Sequence, residues 1–222
     1  MPPELVIYGT GPFARLMTHL FESSGQARVV GYTVDPEYLS APTFEGRPVV
    51  PSGEVAARFP PARHGMFVAV GYRRMRARKL LFERARAAGF RLHGYTSPHA
   101  IVPRDQPLGE NNVLMDQVLV EPFVTIGDNN VFWSGTVLSH EARVGSHTFC
   151  GGRVLVGGRV TVGDGSFLGM SSTIVYGVSL APETHVVAGS VVFKDTQPMT
   201  LHGGNPARAL GAHAEHGIVI QD

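Results

Sequence analysis

An apolar residue recurs at every sixth position from residue 102 to residue 191, with no insertion. The stretch comprises fifteen consecutive hexapeptides. Its second position is often glycine, and its fifth is mostly small or β-branched. The apolar first positions are Val102, Leu108, Leu114, Val120, Ile126, Phe132, Leu138, Val144, Cys150, Val156, Val162, Leu168, Ile174, Leu180 and Val186.

A strict period of six indicates a parallel β-helix, in which each unit forms one short strand and one corner. Three units make a triangular coil, so fifteen units predict five coils. The first positions are expected to stack as one continuous core, and the glycines are expected to serve the corners. Ordinary antiparallel strands are the alternative, but their period-two alternation does not produce a register of six.

Residues 1–95 show a different pattern, in which strand and helix signals alternate. Apolar strands are predicted at residues 4–8, 28–34 and 66–70, with a helix after the first and a basic helix after the last. This alternation favours a parallel sheet with helices on its faces. The segment GTGPFA at 9–14 fits the G-x-G-x-x-G/A turn of dinucleotide-binding proteins, and Asp35 follows about two dozen residues later.

Composition and charge narrow the classes of protein to which this chain can belong. Hydrophobic residues make up 43% and charged residues 17%, which supports a sizeable core. The formal net charge of +1 argues against a nucleic-acid partner held by overall charge. A single cysteine, Cys150, excludes an internal disulfide and suits a reducing compartment. With no secretory signal and no apolar run near the ~18 residues of a bilayer span, the sequence predicts a cytoplasmic protein without a membrane partner.

Five segments, taken with the repeat, resemble a known family. They are VIYGTGPFAR at 6–15, YTVD at 32–35, VAVGYRRMR at 68–76, SHEARVG at 139–145 and GNPAR at 204–208. The chain resembles the sugar O- and N-acyltransferases of the sialic acid O-acetyltransferase and bacillosamine acetyltransferase group. The resemblance implies a Rossmann-like nucleotide-sugar-binding domain at 1–95, and a left-handed β-helix acyltransferase domain with a C-terminal tail at 96–222. It also implies a homotrimer, with active sites between neighbouring subunits, and acetyl-CoA or another acyl-CoA as co-substrate.

The pair His140 and Glu141 is the candidate catalytic site. His140 holds the third position of its hexapeptide, just after Leu138, so it is expected near a corner and facing outward. In the family that the chain resembles, a histidine here is the general base, and the carboxylate beside it fixes its tautomer. Imidazole suits this role because its usual pKa of about 6.5 lies near working pH. The alternative is that both are solvated corner residues.

The chain also departs from the family at one position of the donor site. Well-studied members carry a second histidine at the position where this chain has Phe149. Phe149 is therefore expected to reshape the acyl pocket, so that a donor other than acetyl-CoA becomes plausible. His147, at a fourth position, is expected to be an exposed corner residue, and Cys150 is expected to pack in the core.

The remaining site residues also follow from the resemblance. Met170 and Ala188 match family donor contacts, while Lys194 and Arg208 are candidates for CoA phosphates. For the acceptor, the phosphate turn would be lined by Gly9, Gly11, Pro12 and Phe13, and Asp35 would accept bonds from hydroxyl or base groups. The family's turn has a glycine-histidine pair where Pro12 and Phe13 stand. Near the basic helix, Gly71, Arg73 and Arg74 are also predicted to bind substrate, and the other basic side chains there are expected to be solvated.

The sequence therefore predicts an acyl-CoA-dependent transferase that acylates an amino or hydroxyl group of a nucleotide-linked sugar or related small molecule, without a metal. One alternative is zinc-dependent hydration on His140, His147 and His185, although their spacing does not match a ligand set. The other is a non-catalytic NAD- or nucleotide-binding regulator with a structural β-helix.

Overall fold

The computed structural model describes residues 2–213 and 215–220. The chain divides into two compact units. The first comprises the chain up to Gly71 together with Leu80–Tyr95, and the second comprises Tyr72–Lys79 and the chain from Thr96 onward. Residues 72–79, which the sequence assigned to the first domain, therefore belong to the second unit.

The first unit is a five-stranded sheet with helices. Its elements are β1 (Glu4–Tyr8), α1 (Pro12–Ser23), β2 (Arg28–Val34), a 3₁₀ helix (Pro36–Tyr38), β3 (Thr43–Phe44), β4 (Arg47–Pro51), α2 (Val55–Arg58) and β5 (Gly65–Val68). Helix α3 (Met75–Ala87) begins in the second unit and ends in the first, and β6 (Tyr95–Thr96) lies at the junction. The strand order is β3-β4-β2-β1-β5. All neighbours pair in parallel except β3, which is an antiparallel edge strand that the sequence did not indicate.

The core of the first unit surrounds β1. Leu5, Val6 and Ile7 are fully buried, because a parallel strand between two neighbours is covered on both faces. Phe21 of α1 packs its ring edge-on against Phe67 of β5, with centroids 5.3 Å apart. Burying each large apolar side chain contributes roughly 1.5–3 kcal/mol. The carboxyl end of β1, where the glycine turn begins, is thus held by the best-packed part of the unit.

The second unit contains a long run of two-residue strands. Within the described part of the chain, fourteen of them follow one another: β7 (Val113–Leu114), β8 (Leu119–Val120), β9 (Thr125–Ile126), β10 (Val131–Phe132), β11 (Val137–Leu138), β12 (Arg143–Val144), β13 (Phe149–Cys150), β14 (Leu155–Val156), β15 (Thr161–Val162), β16 (Phe167–Leu168), β17 (Thr173–Ile174), β18 (Ser179–Leu180), β19 (His185–Val186) and β20 (Val191–Val192). An antiparallel hairpin follows, formed by β21 (Thr200–Gly204) and β22 (Ala207–Ala212).

These strands form the three sides of a β-helix. One sheet runs from β22 and β21 through β19, β16, β13 and β10 to β7, the second runs β20-β17-β14-β11-β8, and the third runs β18-β15-β12-β9. Strands three apart pair in parallel, so that Val131 lies beside Phe149 and Val137 beside Leu155. One coil therefore consists of three hexapeptides, as the sequence register predicts.

The core keeps the predicted register, but it begins and ends later than the prediction. First positions from Leu114 to Val192 are buried, but Leu108 is 37% exposed and Val102 is only partly buried. The regular coils thus begin later than the sequence pattern and extend one unit further. Residues 102–108 keep the apolar spacing without forming strands of the helix.

The corners differ from the sequence expectation in their use of glycine. The left-handed turning residue is the fourth position of each unit, and most residues there are not glycine, including Glu141 (φ 59°), His147 (φ 64°) and Arg159 (φ 57°). The glycines at the second position serve close stacking instead. A Cβ at Gly169, for example, would lie 2.4 Å from the backbone nitrogen of Ala188 on the next coil. None of the helices in the described residues has the length and apolar content of a membrane span.

Candidate active site

His140 lies at the corner between β11 and β12. Its side chain is 52% exposed, so the predicted outward placement is confirmed. The corner is held by its backbone: the N–H of His140 donates to Oε2 of Glu121 at 2.6 Å, and the N–H of Glu141 donates to the carbonyl of Pro122 at 3.2 Å. The imidazole thus projects from a fixed backbone into solvent.

The carboxylate of Glu141 has two neighbours. Its Oε2 atom lies 3.4 Å from Nδ1 of His140, and the same atom accepts a 2.7 Å hydrogen bond from Nε of Arg159. The Arg159 hydrogen bond is the largest influence that lowers the pKa of Glu141, so the group is a carboxylate at neutral pH. The predicted His-Glu pair is therefore adjacent in space, but it forms part of a triad with an arginine.

His140, Gly158 and Tyr176 occupy the same corner on three successive coils. The N–H of Arg159 donates to the carbonyl of His140 at 3.0 Å, and the N–H of Gly177 donates to that of Gly158 at 2.9 Å. Since Gly158 has no side chain, the imidazole lies over it, and a Cβ there would be 2.8 Å from Nε2 of His140. The ring of Tyr176 lies 6.3 Å from that of His140.

The sequence prediction missed three members of this site, Arg159, Gly158 and Tyr176. The signal for them was present in the length of the coil. Arg159 follows Glu141 by one coil, and Tyr176 follows His140 by two. A search at whole-coil intervals from His140 and Glu141 would have found them.

The predicted donor residues lie at other places on the surface of the β-helix. Met170 and Ala188 stack on successive coils at the corner that follows β16 and β19, where the N–H of Gly189 donates to the carbonyl of Met170 at 2.8 Å. Met170 is 64% exposed, and Ala188 is exposed as well. This corner lies at the opposite edge of the second sheet from the corner of His140. Lys194 and Arg208, which follow the last coils, are both exposed.

Phe149 and His147 are both buried, which corrects the predicted exposure of His147. Phe149 is only 4% exposed, and it stacks on Phe167 with centroids 5.5 Å apart while Tyr72 covers it at 4.9 Å. Its contacts are those of a packing residue, and its expected influence on the acyl pocket stays a prediction. His147 is 8% exposed rather than solvated, and its Nδ1 lies 3.0 Å from Nδ2 of Asn129.

Cys150 is fully buried, as predicted, and burial raises the pKa of its thiol. The basic helix contains a further correction, because Arg78 is 2% exposed instead of solvated. Its guanidinium donates to the carbonyl of Asn129 at 2.9 Å and to that of His147 at 3.3 Å. Burial lowers the pKa of Arg78 to about 10, which leaves it charged at neutral pH.

The glycine turn of the first unit joins β1 to α1. Gly9 adopts φ 123°, and a Cβ there would approach the carbonyl oxygen of Ala69 to 3.1 Å. Gly11 caps α1, Pro12 begins it, and its first turn carries no acidic residue, so its amide dipoles favour an anion. A cavity of about 450 Å³ opens beside the turn, lined by Thr10, Gly11, Pro12, Arg15, Leu16, His19 and Phe44. Phe13 instead turns its ring toward Phe67, with centroids 6.2 Å apart.

Asp35, the predicted acceptor contact, already has partners within the first unit. Its Oδ1 accepts hydrogen bonds from the hydroxyls of Tyr8 and Ser52 (2.7 Å for the latter), and Arg84 lies 3.2 Å from Oδ2. Burial is the largest single influence and raises the pKa of Asp35, but the hydrogen bonds and Arg84 together lower it. A cavity of about 280 Å³ adjoins this cluster.

Gly71, Arg73 and Arg74 lie where the chain passes from one unit to the other. Gly71 is partly buried, while both arginines are exposed. The backbone here pairs with the C-terminal segment: the N–H of Ile220 donates to the carbonyl of Arg73 at 3.1 Å, and Arg74 bridges Val219. The two arginines thus precede α3 and do not form its first turn.

The histidines of the zinc alternative are not brought together. His140 and His147 lie at successive corners, and His185 lies in β19. No group of three histidine, cysteine, aspartate or glutamate side chains in residues 2–213 and 215–220 could hold a metal ion.

Comparisons with known proteins agree with this architecture. Residues 4–84 match the PglD N-terminal domain family. The acetyltransferase domain of PglB from Neisseria gonorrhoeae FA1090 superposes with a TM-score of 0.83 at 22% identity, covering 93% of this chain and 99% of that one. A histidine-to-asparagine mutant of perosamine N-acetyltransferase from Caulobacter crescentus, in complex with CoA and GDP-perosamine, gives a TM-score of 0.83 at 29% identity, covering 94% of this chain and 97% of that one.

A sequence relative points the same way. YvoF of Bacillus subtilis (strain 168), described as an acetyltransferase, is 28% identical over 99 residues, which is 44% of this chain. The match spans 53% of YvoF, so the chain covers about half the length of this curated relative. With its match to the PglD N-terminal domain family and its left-handed parallel β-helix, the chain is similar to the hexapeptide-repeat sugar acetyltransferases.

Proposed function

We propose that this chain is an acyl-CoA-dependent transferase that acylates an amino or hydroxyl group of a nucleotide-linked sugar or related small molecule. The observation that carries the proposal is the half-exposed imidazole of His140, with the Glu141 carboxylate 3.4 Å from its Nδ1. The similar perosamine N-acetyltransferase was solved with CoA and GDP-perosamine, which supports both substrate classes and favours acetyl-CoA as the donor. A cytoplasmic location stays a prediction from the cysteine content.

In the proposed mechanism, His140 is the general base. The Glu141 carboxylate favours the tautomer with a proton on Nδ1, which leaves the lone pair of Nε2 available. Nε2 removes a proton from the acceptor amine or hydroxyl as its nitrogen or oxygen attacks the thioester carbonyl. The tetrahedral intermediate then breaks its carbon–sulfur bond, and the imidazolium returns the proton to the leaving CoA thiolate.

Binding of the two substrates is assigned to different surfaces. Exposed Met170 and Ala188 offer an apolar corner for the pantetheine arm, and Lys194 and Arg208 offer positive charge for the phosphates of CoA. For the nucleotide sugar, the turn at Gly9, Gly11 and Pro12 offers backbone amides and a helix N-terminus beside a cavity of about 450 Å³. Phe13, Asp35, Gly71, Arg73 and Arg74 remain predicted contacts, of which Asp35 already has partners within its own unit.

A homotrimer is part of the proposal, and the outward faces of the β-helix support it. The outward residues of the second sheet are mostly apolar, from Leu119 through Val137 and Leu155 to Val191, whereas the third sheet presents threonine, arginine and serine. The corners that carry His140 and Met170 lie at opposite edges of this apolar sheet, whose width is one hexapeptide, or roughly 15–20 Å. Along the chain the two residues are five hexapeptides apart. Packing the sheet against a second copy would bring the base of one subunit beside the donor corner of its neighbour.

The assembly is tested by measuring mass in solution. The wild-type chain is expected at about three times 23.8 kDa by light scattering. Leu155→Arg places a charge on the apolar sheet and is expected to give monomers without turnover. Thr161→Arg makes the same change at the equivalent outward position of the neighbouring sheet and is the matched control. A trimeric Leu155→Arg variant, or a monomeric wild type, would contradict the assembly.

The activity is tested by ligand stabilisation and turnover. Thermal shifts are measured with CoA, acetyl-CoA, longer acyl-CoAs, NAD, and UDP, dTDP and GDP nucleotides, because a ligand that binds only the folded chain raises Tm. Release of CoA thiol is then followed with nucleotide amino sugars. His140→Asn is expected to abolish release with Tm unchanged, and His216→Asn, at another exposed histidine, is the control. A shift with NAD and none with any CoA species would instead favour the nucleotide-binding regulator.

A further inference from the structure

One oxygen atom of Glu141 is shared between two cationic or titratable groups. Oε2 lies 2.7 Å from Nε of Arg159 and 3.4 Å from Nδ1 of His140. The arginine contact is at hydrogen-bond length, whereas the histidine contact is longer than a usual N–H···O bond. Arg159 therefore holds the stronger interaction with the carboxylate that orients the base.

Arg159 is itself held by the next coil. Its guanidinium carbon lies 6.0 Å from the ring centroid of Tyr176, within the range of a cation–π contact. Tyr176 in turn has its ring 6.3 Å from that of His140, so each of the four side chains contacts two of the others. His140 and Tyr176 both approach the space that a side chain at Gly158 would occupy. Arg159 is thus fixed from two sides, although its side chain is 60% exposed.

We propose that Arg159 is a positioning residue that sets the pH at which His140 works, by competing with the imidazole for Glu141. This inference rests on the proposed function of His140. The titratable and charged groups around the imidazole are Glu121, Glu141, Arg159 and Tyr176, and Glu121 binds the backbone N–H of His140.

The direction of the effect follows from the charges. With Arg159 present, the positive guanidinium offsets the negative charge of the carboxylate that orients the imidazole. Without that guanidinium, the carboxylate would favour the imidazolium. A protonated His140 cannot accept a proton, so activity would be lost at a higher pH on the acid side of the profile.

The experiment uses the full chain and Arg159→Gln, which keeps a hydrogen-bond donor and removes the charge. Two readouts are measured: the titration midpoint of the His140 imidazole by NMR, assigned with His140→Asn, and the pH dependence of kcat/KM. Both the midpoint and the acid limb are expected to move to higher pH by roughly half a unit, the order of one solvent-screened charge at this range. An unmoved midpoint would overturn the inference, even if Tm falls.

Three further variants test whether Arg159 acts through its charge or only by stabilising the local structure. Arg159→Lys keeps the charge and is expected to restore the wild-type midpoint. Arg143→Gln removes an exposed arginine from β12, which pairs with β15, the strand that follows Arg159. This variant is expected to leave the titration midpoint unchanged. In a Glu141→Gln background, Arg159→Gln is expected to move the midpoint by less, because competition for the shared carboxylate is gone and only the screened charge of Arg159 is removed. An equal upward shift in that background would overturn the competition.

The NMR readout needs no turnover, so the two proposals fail separately. A midpoint that moves in a chain without acyltransfer would leave the competition standing and remove the proposed function. An unmoved midpoint in an active enzyme would remove the competition and leave the proposed function standing.

Discussion

Gly158→Ala is the sharpest test of the His140 corner. The added Cβ would lie 2.8 Å from Nε2 and 2.9 Å from Cε1 of His140, and 3.2 Å from a ring carbon of Tyr176. Ordinary contact begins near 3.4 Å, so the imidazole must move by about 0.6 Å or rotate away. A misplacement near 1 Å costs a catalytic group about a hundredfold, and we therefore expect kcat to fall by at least about tenfold.

Stability should hardly change in this variant. Gly158 lies outside the left-handed region, so alanine fits its backbone, and the half-exposed imidazole can swing into solvent. Replacing glycine by alanine where the backbone permits it adds roughly 0.4–1 kcal/mol by restricting the unfolded chain. The assay is steady-state release of CoA thiol, with the free energy of unfolding measured in urea.

Gly152→Ala is the matched control, because Gly152 holds the same third position one unit earlier. A Cβ there would meet only the carbonyl oxygen of Ser134 at 3.4 Å, an ordinary contact. Its kcat is expected to stay at the wild-type value. Wild-type turnover in a folded Gly158→Ala enzyme would refute the role of His140 as base, and equal losses in both variants would refute the steric argument.

Three other predictions concern buried groups. Arg78→Met leaves two buried carbonyls without their donor and is expected to lower the free energy of unfolding in urea by about 2–4 kcal/mol. Lys79→Met, at an exposed position, should change that free energy by less than about 0.5 kcal/mol. Similar values for both variants would contradict the burial argument. The pKa of Asp35 is lowered by folding, so its contribution to stability is present above the unfolded pKa and is lost as pH falls through the lower folded value. Asp35→Asn should remove this part of the acid loss in urea titrations carried below the usual pKa of a carboxyl group, and an unchanged pH dependence would count against it. Cys150 should resist a thiol reagent in the native chain and react fully in denaturant, and rapid native labelling would contradict its burial.

The sequence predicted the two architectures well because each has its own period. A register of six is hard to satisfy except by a β-helix, and alternating strands and helices favour a parallel sheet. The outward placement of His140 followed directly from its position after Leu138. The pattern did not reveal where the coils begin, because Leu108 keeps the apolar spacing without the neighbouring strands that would bury it.

The residues whose burial the sequence did not reveal are those whose environment comes from distant parts of the chain. His147 is buried because Asn129, one coil earlier, bonds its ring, and Arg78 is buried because its guanidinium binds backbone carbonyls of the β-helix. Phe149 is covered by Tyr72, which precedes α3 and lies far from it in the sequence. Local position within a hexapeptide gives the direction of a side chain, but not what covers it.

The length of the coil also limits how this chain can change in length. A single-residue deletion after His140 would turn every later first position outward, whereas an insertion of three hexapeptides would add one complete coil and keep the core in register. Such a coil, inserted between His140 and Met170, would still move the donor corner along the axis by about 4.8 Å, the spacing of paired strands. The core therefore tolerates whole-coil changes, whereas under the proposed function the number of hexapeptides between His140 and Met170 would be limited by the reach of the substrate.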